Sequence, residues 1–395
     1  MITLPLQGIR ILDLSRVLAG PLAGMILGDL GADVIKVERP GTGDETRGWG
    51  PPFDDRGESA YFLSTNRNKI GVAADLSLSA DRALLERLVA GADVVLENFK
   101  PGTLERHGLG AQAMLARHPQ LIWCTVTGFG LESVRPGYDF VVQAESGWMA
   151  ITGDAEGMPT KVGVALADVL AGKDAAIAVL AALVGRARVV RSGDVAGSAN
   201  VAGGPSAVAE STVADRRLCV SLLHSATAAL VNVAQNALVS GREAQRWGNA
   251  HPNLVPYELF SAADRPMVIA VGSDAQFAAC VRVLGLDTLA ADPTLAANAG
   301  RVAQRARVVG AIAARVRMHE ASHWLARLED AGVPCGVVKP VLEALRAVNA
   351  SAITGVAPQS PGAVRLTPPR LDEHGALVRE SGWGAFDQLR PPPAP

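Results

Sequence analysis

The first 130 residues alternate between short apolar runs and helical stretches, and this alternation limits the fold more than any other feature. Residues 9–14 (IRILDL) read as a strand and residues 15–21 (SRVLAGP) as a turn-rich loop. Residues 22–30 carry helical spacing before Gly31 supplies a stop. Residues 33–38 (DVIKVE) form the next strand, giving a strand–helix–strand unit with an acid at its end. The pattern repeats through strands at 70–75, 93–98 (DVVLEN) and 121–128 (LIWCTVTG), with a helix at 84–90 that Gly91 ends. Such alternation predicts an α/β fold with a doubly wound, mainly parallel sheet. The first turn has only Gly20 and Gly24, so the G-x-G-x-x-G dinucleotide fingerprint is missing.

A chain of 395 residues exceeds one ordinary core, and two domains are expected. Between residues 188 and 217 the composition turns to Gly, Ser, Ala, Val and scattered charge, and no aromatic residue occurs between Trp148 and Trp247. That stretch reads as a linker or surface excursion at the domain boundary, with a hairpin around Ser192-Gly193. Beyond it, a strand at 218–223, a helix at 225–239, strand-like runs at 256–260 and 267–271, and helices at 274–284, 301–315 and 322–332 make a smaller α+β domain over 218–330. Ser322 is expected to cap the last of these helices. The tail (PPPAP) reads as a disordered end.

With 49% hydrophobic and 19% charged residues the chain reads as folded and soluble. A formal net charge of −2 argues against a nucleic-acid surface, and no uncharged run is long enough for a membrane span. The N-terminus lacks a basic n-region, so no secretory signal is expected. Cys124, Cys219, Cys280 and Cys335 are far apart and lack nearby His pairs. They fit small buried residues in a reducing cytoplasm rather than metal ligands or a disulfide framework.

One acidic residue stands out. Residues 162–167 (VGVALA) read as a buried strand running into Asp168, after which an Ala-rich helix begins. Open α/β sheets place their chemistry at that position. The commoner role of an Asp there is to cap the helix through its orphan N–H groups, and the local pattern leaves both roles open.

Nine stretches in order and spacing bear on the choice. They are residues 8–47 (GIRILDLSRVLAGP…GDETR), NRNK at 66–69, VLENFKPGTLERHG at 95–108 and GFG at 128–130. GYDFVVQAESG at 137–147, VALADVLAG at 164–172, GNAHPNLVPYELF at 248–260, AGVPCGVV at 331–338 and TPPRLDEH at 367–374 follow. Together they resemble the class III CoA-transferases of the CaiB/BaiF type, a family that includes formyl-CoA and carnitine CoA-transferases and the α-methylacyl-CoA racemases.

The resemblance implies a Rossmann-like large domain from both chain ends (1–187 and a return segment, 331–395), a smaller inserted domain, and two chains interlocked as a homodimer. It implies that Asp168 is the nucleophile, carrying first an acyl group and then CoA. It places coenzyme A, as substrate, against Val17, Ala19, Arg39, Asn98, Lys100, Arg106 and Tyr138. Lys100 and Arg106 suit phosphate groups, although long cations also commonly stand solvated at a surface. Gly248, Asn249 and His251 match a loop that closes over the site, His251 being equally suited to a polar turn. The acid pocket is expected from loops around 47–53, 143–149 and 248–256. Amides at the start of the helix after Asp168 are expected to hold an oxyanion or departing thiolate. No metal and no NAD are implied.

The racemase branch needs a His about a dozen residues after the Tyr of GYD. Ala150 occupies that place, and no histidine lies between His118 and His224. Without a second base, α-proton exchange loses half of its two-base mechanism, so transfer is favoured over racemisation. The residues also admit an oxidoreductase with Glu38 on a ribose, against which the missing glycine fingerprint counts, and a non-catalytic CoA-binding scaffold.

Overall fold

A computed structural model describes residues 4–196 and 212–389. The described residues form two compact units. One comprises residues 4–148, 162–196, 212–233 and 348–389, and the other residues 149–161 and 234–347.

In the larger unit six strands make one parallel sheet: β1 (Arg10–Asp13), β2 (Asp33–Glu38), β3 (Lys69–Ala73), β4 (Val94–Glu97), β5 (Ile122–Thr127) and β6 (Arg217–Ser221). Their order is β3-β2-β1-β4-β5-β6. The order reverses between β1 and β4, and ligands of doubly wound sheets bind at such a switch point, beyond the carboxyl ends of the strands.

Successive strand side chains face opposite sides, so the strands feed two cores. Ile11, Val34, Leu96, Cys124 and Val126 pack on the side of helices Ala19–Asp29 and Leu166–Ala196. Leu12, Ile35, Val95 and Trp123 pack on the other, with Leu88, Trp383 and Phe386. On the first side Ala167, Ala171, Ala175 and Val179 form a buried stripe at intervals of four residues. Small residues there bring the two helices close. A Cβ on Gly172 would lie 2.7 Å from the Ala19 carbonyl oxygen.

The smaller unit has an antiparallel sheet of β7 (Tyr257–Ser261), β8 (Pro266–Ala270) and β9 (Cys335–Val337). Its core joins Met267, Ile269, Phe277, Ile312, Trp324 and Leu328.

Several expectations change. Residues 162–165 are loop, and the helix starts at Leu166, so no strand precedes Asp168. The run of Val and Ala looks like a buried strand, but it is a partly exposed loop with Val164 51% exposed, and no neighbouring strand pairs with it. The strand at 218–223 is β6 of the large sheet, pairing Trp123 with Arg217 and Thr127 with Ser221, rather than the start of the small domain. Composition does not reveal a partner strand. The segment 333–338 likewise stays with the smaller unit as β9, and the return begins near Val348.

Ser192-Gly193 lies within the backbone of helix Leu166–Ala196 rather than in a hairpin, and the rest of the expected excursion up to residue 211 lies outside the described residues. The tail at 391–395 does too. The helix at 225–239 is two, Leu222–Ala228 and Val231–Ser240, bent by 74° where Val231 takes a positive φ of 41°. That at 301–315 divides at Gln304. Ser322 is not a cap. The helix runs Ala321–Asp330, and Asp264 Oδ1 accepts from the Ala321 N–H at 2.7 Å. Cys219 is exposed, unlike buried Cys124 and Cys280. Among the described residues no single helix is long and apolar enough to cross a membrane, and no group of three or more His, Cys, Asp or Glu is placed to hold a metal ion.

Candidate active site

Asp168 is the third residue of helix Leu166–Ala196, inside the first turn rather than at its cap. Capping falls to a residue outside the helix. Asp139 Oδ1 accepts from the Ala167 N–H at 2.8 Å, and its Oδ2 accepts from Gln143 Nε2 at 2.8 Å. Gln143, fully buried, also donates to the Val164 carbonyl at 3.2 Å and accepts from the Val162 N–H at 2.8 Å. One amide side chain thus fixes the loop that delivers Asp168, and one carboxylate fixes the helix start.

The amides after Asp168 do not form the expected oxyanion site. The Val169 N–H, directly after Asp168, is taken by the Ala165 carbonyl, and the Ala167 N–H, directly before it, by Asp139, so neither faces a ligand. Asp168 instead lies near the Ala19 N–H, at the start of helix Ala19–Asp29, which favours its ionised form. A helix N-terminus favours negative charge.

Burial, followed by the charge of Asp139, pushes the Asp168 carboxyl up to about 7, against the pull of the Ala19 N–H. Proton and carboxylate are therefore near balance at neutral pH. Asp139→Asn removes the neighbouring charge, which disfavours ionisation of Asp168. The ionised form then persists to lower pH, and the acid limb of the rate–pH profile is expected to move down by about one unit. Rate measurements between pH 5 and 8 check the shift.

Asp168 lines a cavity of about 590 Å³ together with Val17 and Ala19 after β1, Asn98 and Lys100 after β4, and Tyr138. Of the sequence-derived contacts these five share the cavity with the nucleophile candidate. Arg39 instead lines an adjoining cavity of about 290 Å³, with Asp75, Ser77 and His107. Arg106 is exposed and lines neither. Gly248, Asn249 and His251 belong to the other unit. There Gly248 has φ 58°, and His251 Nδ1 accepts from the Asn253 N–H at 3.0 Å while its backbone N–H donates to the Tyr257 carbonyl at 2.9 Å. Those are the bonds of a polar turn.

Asn98 holds the first loop from both sides. Its Oδ1 accepts from the Arg16 N–H at 2.9 Å, and its Nδ2 donates to the Arg16 carbonyl at 2.8 Å. Next to this clamp Val17 takes φ 71°, a costly conformation for a β-branched residue, with its N–H 3.2 Å from both oxygens of Asp44.

Beneath lies a buried charge network. Lys36 pairs with Asp44 at 3.0 Å and Lys69 with Asp13 at 2.8 Å, all four side chains fully buried. Lys69 also donates to the Pro21 carbonyl at 2.8 Å, securing the first turn of helix Ala19–Asp29. A Cβ on Gly24 would lie 2.8 Å from Asp13 Oδ2, so the helix sits directly on this pair.

Two residues expected near substrate are structural. Arg47 grips Glu38 through two bonds of 2.7 Å and Glu58 through one of 2.6 Å, and stacks on Phe62. Glu38 also accepts from the Asp44 N–H at 3.0 Å and is 5% exposed, which removes it as a ribose ligand. Asp139 and Tyr61 were not among the expected site residues, and Gln143, expected only as the edge of an acid-pocket loop, instead anchors the loop before Asp168. Tyr61 is half-buried, packs edge-on to Trp49 at 5.0 Å, and has its phenol pushed up to about 12 by burial and then by Asp168, Asp139 and Asp44. It stays protonated beside the acidic cluster. A polar GYD turn preceding an apolar helix is the signal for Asp139, but nothing local pointed to Tyr61 or to the anchoring role of Gln143.

The CoA-transferase family III description matches residues 6–367. The chain is 38% identical over 403 residues to the succinate–glutarate CoA-transferase of Agrobacterium fabrum (strain C58), covering 95% of this chain and 94% of that protein. It is 41% identical over 337 residues to the succinyl-CoA:glutarate CoA-transferase of Mus musculus, covering 85% and 72%. The acetyl-CoA:oxalate CoA-transferase of Acetobacter aceti is 33% identical over 395 residues, with 95% of each covered. A solved CaiB/BaiF family protein from Brucella suis superposes with a TM-score of 0.78 at 38% identity, covering 98% of this chain and 99% of that one. A match of this extent establishes the family, and the chain belongs to the class III CoA-transferases.

Proposed function

We propose that this enzyme moves CoA from an acyl-CoA to a carboxylic acid through covalent intermediates on Asp168, and that both acids are dicarboxylic. One observation carries the covalent step: a carboxyl group raised to about 7 projects from a helix start into the large cavity, against the N-terminus of a second helix. The substrate class rests on the two relatives whose names pair succinate or succinyl-CoA with glutarate, whereas the Acetobacter relative's name pairs acetyl-CoA with oxalate.

In the first step an Asp168 oxygen attacks the thioester carbonyl, the C–S bond breaks, and an acyl-aspartyl anhydride and CoA thiolate result. The thiolate then attacks the Asp168 carbonyl carbon, giving an aspartyl-CoA thioester and the free first acid. The second acid's carboxylate attacks that thioester, and the returning thiolate attacks the new acyl group, restoring the Asp168 carboxylate. No net proton moves, and each anhydride formed at the expense of a thioester is consumed in the next step, so the overall exchange trades one thioester for another of similar energy. A weakly hydrated carboxylate of raised basicity is the stronger nucleophile. The Ala19 N–H favours the anion that forms. Val17, Ala19, Arg39, Asn98, Lys100, Arg106 and Tyr138 are proposed to bind the CoA moiety, Asn98 by holding the Arg16 loop. The smaller unit acts as the inserted domain, and two chains interlock as a homodimer.

Incubating the enzyme with succinyl-CoA and a panel of mono- and dicarboxylic acids, with product acyl-CoAs separated chromatographically, tests this reading. Rapid formation of glutaryl-CoA or another dicarboxylyl-CoA is expected. Transfer confined to monocarboxylates contradicts the substrate class, and deuterium wash-in at the α-carbon of a 2-methylacyl-CoA without transfer contradicts the reaction.

A further inference from the structure

The two cavities of the larger unit share Arg16, Phe99 and Leu104, and of these only Arg16 is charged. Its backbone is clamped on both sides by Asn98, while its guanidinium stays one-third exposed. Nη1 donates to Glu45, Nε is buried without a hydrogen-bond partner, and the group lies 5.6 Å from the centre of the Phe99 ring. Glu45 lines the larger cavity and follows Asp44, whose carboxylate is fixed by Lys36, Thr46 and Val17. The Glu45 backbone is therefore anchored, while its side chain, 44% exposed, is free to turn away.

We propose that Arg16 grips the diphosphate of a CoA thioester lying across both cavities, and that Glu45 is an internal stand-in for this anion, displaced when the thioester binds. The inference rests on the CoA-transferase reading. A thioester reaching Asp168 occupies the larger cavity with its acyl end, and the nucleotide end lies in the smaller. The diphosphate joining these ends then passes the junction, where Arg16 stands. A guanidinium fork matches phosphate oxygens in pairs, and the buried Nε supplies a donor that Glu45 leaves unused. The exposed Arg16–Glu45 pair is weak enough for a doubly charged ligand to replace it. Lys100 lines only the larger cavity, so it does not take this place.

Calorimetric titration of the full chain with CoA and with dephospho-CoA tests the assignment, using wild type, Arg16→Met, Arg16→Lys and Glu45→Gln. Arg16→Met is expected to weaken both ligands about tenfold or more, and Arg16→Lys by less, because charge remains while the fork is lost. Glu45→Gln is expected to tighten both about two- to fivefold, because the competing carboxylate is gone. That gain separates lost grip from a folding defect, since both variants break the same ion pair. Unchanged CoA binding in Arg16→Met overturns the proposal. So does a loss seen with CoA but not dephospho-CoA, which assigns Arg16 to the 3′-phosphate, and so does weaker binding by Glu45→Gln. A wild type that binds no CoA overturns the CoA-transferase reading as well, whereas normal wild-type binding that Arg16→Met leaves intact removes only Arg16.

Discussion

Asp168→Asn is expected to lower CoA transfer by about 10⁴-fold or more while raising stability. The loss follows from removing a covalent carrier, since groups acting as nucleophiles dominate the rate when deleted. The gain follows from the raised Asp168 carboxyl, at about 7 in the folded protein. Between the unfolded value near 4 and the folded value, the folded state holds the proton more tightly. Wild-type stability therefore falls as pH rises through that window, and above pH 7 the full penalty stands. Asparagine carries no such penalty. The variant should unfold later than wild type at pH 8, by about 1–3 kcal/mol, and match it at pH 4. Denaturant melts at both pH values, alongside transfer assays, check the pair of effects. A variant that is inactive because it is unstable would point to Asp168 as a structural cap.

Asp13→Ala is expected to cost about 3–5 kcal/mol of stability. Lys69 is fully buried, and although burial draws its pKa down to about 8 it keeps only the Asn66 and Pro21 oxygens once Asp13 is gone. The double variant Asp13→Ala/Lys69→Met should recover much of the loss, because no unpaired ammonium remains buried. Equilibrium unfolding of the four proteins of the cycle measures the coupling. Activity should follow stability here, because Lys69 ties down the Pro21 carbonyl in the same turn that presents the Ala19 N–H to Asp168.

Much of the large sheet was legible from its period. β1, β2, β4 and β5 lie where apolar runs between Gly stops put them, because a buried parallel strand is written as a continuous apolar run. Pairing was not legible. β6 was a strand in sequence too, but which sheet it joins depends on residues far away in the chain, and β9 lies in what sequence read only as the start of the return segment. The charges in the strands were also opaque. Lys36 and Lys69 look like solvated positions, yet each finds a buried carboxylate, at sequence separations of 8 and 56 residues. Asp168 was found through motif order rather than local pattern, which misread the segment before it as a strand and left the residue's role open between cap and catalyst. Its true cap, Asp139, and the loop's anchor, Gln143, lie 28 and 19 residues from their partners, beyond any local rule.

The central claim is that Asp168 itself carries the transferred group. Incubating the enzyme with succinyl-CoA, quenching with hydroxylamine and mapping the digest by mass spectrometry tests it most directly. A hydroxamate on Asp168 is expected that forms only with the acyl-CoA donor and disappears when acceptor acid is added first. Sustained transfer with Asp168 unmodified, or with the adduct on another carboxylate, would contradict it.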